Sequence, residues 1–106
     1  MPKYLFQGSY TVDGVKGVLK EGGSKRREAT EQFTKGLGGT LETYYFAFGG
    51  DDFFAIVDLP DNVSAAAGSL MGAASGALNV KTIVLMTPEE LDQAVRKSVD
   101  YRPPGH

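Results

Sequence analysis

Two aspartates stand side by side at Asp51 and Asp52, directly after Gly49-Gly50 and between two apolar runs. A carboxyl group at the mouth of an apolar pocket can take or give a proton, which makes Asp52 a candidate catalytic acid or base. The competing use is structural, because an aspartate in a turn accepts from nearby backbone N–H groups. Adjacent strand residues point to opposite faces, so the pair need not form a carboxylate dyad. Phenols are the second resource. Tyr10, Tyr44 and Tyr45 lie in strand-like runs, where a hydroxyl could donate to a substrate oxygen inside a sheet-lined cavity. Tyr45 joins Asp52 as a candidate catalytic group, and Tyr10 and Tyr44 are candidate ligand contacts. The commoner use of a strand tyrosine is core filling, with its hydroxyl tied to backbone or water. Thr11 and Gly14 open a helical stretch whose free N–H groups can hold an anion or simply be capped. Lys20, Lys25, Arg26 and Arg27 gather around Gly22-Gly23 and could clamp an acidic ligand, although such charges usually form a solvated face.

What is missing narrows the chemistry further. The chain has no cysteine, which excludes disulfides, thiolate metal sites and cysteine nucleophiles. Its one histidine, His106, lies in the C-terminal tail, so the folded body has no histidine for haem, zinc or a Ser-His-Asp triad. No carboxylate loop of recognised Ca²⁺ spacing occurs, nor any Walker or dinucleotide fingerprint. The expectation is a site without cofactor or metal. A formal charge of −2 with basic residues spread along the chain argues against a nucleic-acid partner. No apolar run is long enough to span a membrane, and the first residues lack a signal-peptide pattern. A soluble cytoplasmic protein is expected.

The elements that must position these residues follow from hydrophobic period and turn chemistry. At 106 residues the chain is one domain, 1–100, followed by a frayed tail, 101–106. Lys3 to Tyr10 alternates as a strand, with Tyr4, Phe6, Gly8 and Tyr10 on one face. One long helical region follows, kinked near Gly22, with Val12, Val15, Val18 and Leu19 as its first apolar face. Ser24 is the expected cap of its second part, where Ala29, Phe33, Gly36 and Leu37 carry the stripe. Thr40 to Phe48 and Phe53 to Leu59 form a hairpin across Gly49-Gly50-Asp51-Asp52. Tyr44, Phe46 and Phe48 fall on one side of its first strand, and Leu41, Tyr45 and Ala47 on the other. Asp61 caps a helix over Val63 to Ala77 whose inward face is Val63, Ala66, Ala67, Leu70, Met71 and Ala74. Asn79 to Met86 is the fourth strand. Thr87-Pro88-Glu89-Glu90 is a capping-box start for a last helix with Leu91, Ala94, Val95 and Val99 on its stripe.

This order predicts an α+β fold of ferredoxin-like βαββαβ type with a C-terminal helix and a four-stranded antiparallel-type sheet. Right-handed crossovers place the two main helical layers on one face. The hairpin strands are apolar on both faces, so the uncovered face calls for a second copy, sheet to sheet, unless the last helix covers part of it.

An ordered set of residues resembles the GYD-domain family, small proteins of the dimeric α+β barrel superfamily. The set comprises Tyr10-Thr11 with Gly14, Arg27 with Glu28-Ala29, Leu37-Gly38-Gly39, Tyr45, Gly49 with Asp52, and Pro60-Asp61. Ser75-Gly76, Thr82 and Glu89-Glu90 complete it. The resemblance runs from about Tyr4 to Glu90. It implies a homodimer, and it singles out Arg27 from the basic cluster as a family position. The name-giving tyrosine is absent here, Asp51 standing in its place, so no role of that ring carries over. Related families on the fold include cofactor-free oxygenases, haem enzymes and effector-binding modules, so the fold does not choose the function. Three readings follow. The favoured one is a homodimeric module binding a small molecule in a sheet-lined pocket. The others are a cofactor-free enzyme, oxygenase- or isomerase-like, in that pocket, and an assembly protein with no ligand.

Overall fold

A computed structural model describes all residues, 1–106. The elements run β1 (Lys3–Tyr10), α1 (Val12–Glu21), α2 (Gly23–Gly36), β2 (Thr40–Phe46), β3 (Phe53–Asp58), α3 (Asn62–Ala74), β4 (Leu78–Leu85) and α4 (Pro88–Val95). The sheet order is β2-β3-β1-β4, and every neighbouring pair is antiparallel. This is the ferredoxin-like α+β arrangement that the element order predicts.

β1 occupies the centre because its period-2 pattern serves both layers. Tyr4, Phe6 and Gly8 are buried beneath the helices, and Leu5, Gln7 and Ser9 are half-buried on the open face. The core is Tyr4, Phe6, Ala55, Val57, Leu59 and Ala65, with Leu37, Leu41, Tyr44 and Val80 packed around it. The Tyr4 hydroxyl is satisfied by donating to Asn62 Oδ1 at 2.7 Å. Helix starts follow their caps. Thr11 Oγ1 accepts from Gly14 N, and Asp61 Oδ1 accepts from Ser64 N. Thr87 and Glu90 cap each other reciprocally, with Pro88 in the first turn.

Several expectations are corrected. The long kinked helix is two helices. Gly22 has φ 84° and ψ 173°, a conformation that side-chain-bearing residues rarely adopt, and it closes α1 while opening α2. Ser24 therefore lies inside α2 rather than capping it, and no side chain caps that helix. β2 ends at Phe46, and Phe48 is fully exposed in the turn. Leu41 belongs to the core face rather than the open one. The ladder runs Leu41↔Val57 and then Thr43↔Ile56, so Glu42 is an extra residue in a bulge and the alternation reverses there.

The inward faces of the helices also differ from the expected stripes. Val12, Leu19, Val63, Leu70 and Met71 are exposed, whereas Gly14, Ala65 and Gly68 are buried. Small residues face the sheet because they let a helix approach it. A Cβ on Gly14 would stand 1.9 Å from the Ala77 carbonyl oxygen.

The last helix does not cover the open face. α4 makes no substantial packing with any other element, and Leu91 and Val95 are exposed. It also stops at Val95, short of Val99. The radius of gyration is 16.9 Å, against about 13 Å for a compact chain of this length. The longest extent, 56 Å, reflects this projecting arm. No helix is long and apolar enough to cross a membrane.

Candidate functional site

Between the sheet and the three helices α1, α2 and α3 lies a cavity of about 390 Å³. It exists because the residues facing inward are small. Gly14 and Gly17 from α1, and Gly68 and Gly72 from α3, bring backbone toward the sheet and leave room between their side-chain-less faces. The floor is aromatic and aliphatic: Phe6, Tyr10, Tyr44, Phe53, Ala55 and Val80. These rings hold one another in place. Tyr10 and Phe53 lie 5.3 Å apart between ring centroids, Tyr44 and Phe46 pack edge to face at 5.1 Å, and Tyr44 and Phe53 stack at 6.4 Å.

The polar groups of the cavity are few. The Tyr10 and Tyr44 hydroxyls share a hydrogen bond of 2.9 Å. One of them must donate to the other, so the pair keeps a single O–H free to donate elsewhere. Burial pushes the Tyr10 phenol well above the ordinary tyrosine range, and the bond to Tyr44 adds to the shift. Nearby Arg26 acts in the opposite, lowering direction. Tyr10 therefore stays neutral and serves as a hydrogen-bond donor or acceptor, not as a phenolate base. Arg26 lines the cavity from α2. Its Nε is closed off from solvent and has no hydrogen-bond partner. None of the four ion pairs in the molecule involves it.

Of the residues singled out from the sequence, the fold brings Tyr10, Gly14, Arg26 and Tyr44 to the cavity and leaves Thr11, Lys20, Lys25, Arg27, Tyr45 and Asp52 outside it. Asp52 Oδ2 accepts from the backbone N–H of Tyr10 at 2.9 Å, and its own N–H donates to the Gly8 carbonyl at 2.7 Å. That is the turn role, extending the contact between the hairpin tip and the end of β1. Tyr45 is on the open face and largely exposed. Thr11 caps α1 and donates to the Gly76 carbonyl at 2.8 Å, which ties the α1 start to the α3–β4 turn. Arg27 is exposed and lies 3.7 Å from Glu31 one turn on, along the outer surface of α2. Its neighbour Arg26 is the member of the basic cluster that faces the cavity. The signal was present in the spacing: Arg26, Thr30, Phe33 and Leu37 follow the 4-3-4 rhythm of one helical face. Thr30 helps to hold that face by donating to the Arg26 carbonyl at 3.0 Å.

A family model for the GYD domain matches residues 4–95, nearly the whole chain. The chain belongs to the GYD domain family. No curated protein and no solved structure matches it. The match ends at the last residue of α4, so the projecting arm up to Val95 lies within the GYD domain. In this GYD domain, Asp51 is wired into the open face. Its Oδ2 accepts from Gln7 Nε2 at 2.9 Å and lies 3.5 Å from Lys81 Nζ. No group of three or more His, Cys, Asp or Glu side chains is placed to hold a metal ion.

Proposed function

We propose that this GYD domain is a homodimeric module that binds a small organic molecule on the helix side of its sheet. The observation that carries the reading is the cavity of about 390 Å³, apolar over most of its wall and supplied with a small polar cluster at Tyr10, Tyr44 and Arg26. Ligand sites have this construction: a concave apolar body and a few polar groups that fix orientation. The dimer is supported by how little one copy hides. Only 12 of 106 residues are buried, and Leu5, Phe54, Ile56, Ile83 and Leu85 on the open face have no layer above them. A second sheet laid across that face would cover them.

Native mass spectrometry of freshly purified protein tests both parts. The expected result is a dimer carrying a discrete small-molecule mass that denaturation releases. Gly17→Leu supplies the control. Gly17 lines the cavity, and a Cβ there meets nothing within 4 Å. The leucine fills the space and improves helix propensity by about 0.5–1 kcal/mol. This variant should remain a dimer and lose the extra mass. A stable monomer at micromolar concentration overturns the dimer, and an unchanged adduct on Gly17→Leu overturns the placement of the site.

A further inference from the structure

We infer that the cavity takes a small organic monocarboxylate, its apolar body against the sheet and its two oxygens on Arg26. This inference rests on the binding reading above and names the class of ligand. A guanidinium cannot escape an unfavourable site by losing its proton, because its charge persists at any physiological pH. An unpartnered N–H shielded from water is costly to keep, and the Arg26 Nε is in that position, which marks this guanidinium as incompletely satisfied by the fold. The Tyr10 hydroxyl lies near the guanidinium, but no carboxylate of the protein pairs with its charge. Asp13 and Glu21, the two carboxylates on the cavity wall, are both exposed, and neither pairs with Arg26.

The donors aimed at the site define what fits. Arg26 offers a planar fork of N–H groups, the geometry that matches a carboxylate with two parallel bonds. The Tyr10–Tyr44 pair has one O–H left to give. A dianionic phosphate suits the site less well, because a single cation shares the wall with two acidic side chains. A cation would meet the guanidinium head-on. The remainder of the wall accepts only an apolar body, and the rings of Phe6, Tyr10, Tyr44 and Phe53 favour an aryl or branched alkyl group.

The test is a calorimetric comparison of phenylacetate, 3-phenylpropionate and 4-phenylbutyrate, each beside its primary amide, with phenyl phosphate as the dianionic control. The expected result on the wild-type protein is at least one carboxylate binding about tenfold or more tighter than its amide, as a charge-assisted contact should. In Arg26→Gln that ratio should fall to near one while the amide binds as before. The unfolding midpoint of this variant should be at or above that of the wild type, since it removes an unpaired charge. Arg26→Lys, which keeps the charge but not the fork, should recover only part of the preference. Equal binding of acid and amide by the wild type overturns the carboxylate assignment and leaves the cavity as a neutral ligand site. Tighter binding of phenyl phosphate overturns it in favour of a dianion. If no acid or amide binds, and Gly17→Leu does not differ from the wild type in any titration, the binding reading fails with it.

Discussion

The two faces of the sheet treat charge in opposite ways. On the open face each charged group has a partner. Lys3 donates to Asp58 at 3.0 Å with Glu42 at 3.4 Å beside it, and Asp51 gathers Gln7 and Lys81. The Asp58 hydrogen bond, reinforced by Glu42, lifts the Lys3 ammonium above its ordinary range. On the helix face a single guanidinium lines an apolar cavity with no carboxylate paired to it, and its Nε has no hydrogen-bond partner. Paired surface charges answer to register and solubility, and they leave the molecule with no outstanding demand. The unpaired one leaves a demand that the fold itself does not meet. The difference teaches where to look for function in a chain with few catalytic residue types: at the polar group the fold leaves unsatisfied.

Four substitutions separate the faces, and Gly14→Ala should have the largest effect among those that leave the ligand chemistry aside. The added methyl would meet a backbone carbonyl at 1.9 Å, so α1 must shift off the sheet and stability should drop by about 2 kcal/mol, within the range for overpacking. Urea denaturation measures it, and an unchanged midpoint would mean that the α1 roof is looser than described. Tyr10→Phe comes next. It removes the shared hydroxyl bond at a cost of about 1 kcal/mol at neutral pH. The Tyr10 phenol ionises later in the folded chain than in the unfolded one. Its contribution is therefore whole below about pH 10, the unfolded value, and drains away as pH rises toward the folded one. The stability gap between wild type and Tyr10→Phe should narrow above that pH, and titration at 295 nm should lose its latest-ionising phenol in the variant. Lys81→Ala on the open face should have the smallest effect. Its side chain is 68% exposed, and such pairs contribute about 0–1 kcal/mol. Ligand binding should not change; a loss there would break the contrast between the faces. Gly17→Leu, the cavity-filling variant, completes the set by blocking the site without loosening the fold.

The fold was legible because its signals are local and redundant. The caps at Thr11, Asp61 and Thr87, the glycines before β2 and the period-2 aromatics of β1 all point to one topology. Helix faces were less legible. Sequence reasoning assigns the larger side chains to the core, so it turns Val12, Leu19, Val63 and Leu70 inward. The structure turns glycine and alanine inward, since close approach to a sheet favours the smallest side chain. The same preference opens the cavity, which no periodicity of large residues announces. Tyr10 and Tyr44 were visible as candidates because phenols on strands are few. The choice between Arg26 and Arg27 was not decided by the resemblance, which marks Arg27. It turns on a rotation of about 100° per residue along α2, which only the packing of Phe33 and Leu37 fixes.

The bulge at Glu42 acts on β2 as an inserted letter acts on a reading frame. Upstream of it, odd positions belong to the core; downstream, even ones do, which is how Leu41 and Tyr44 end on the same side. In strict alternation the same text would send Glu42 inward and Leu41 outward. Shortening the strand by that one residue would leave both apolar residues where they are and cost Lys3 its second carboxylate. The edge strand thus carries its own punctuation, and a length change at position 42 can be read without garbling the words on either side.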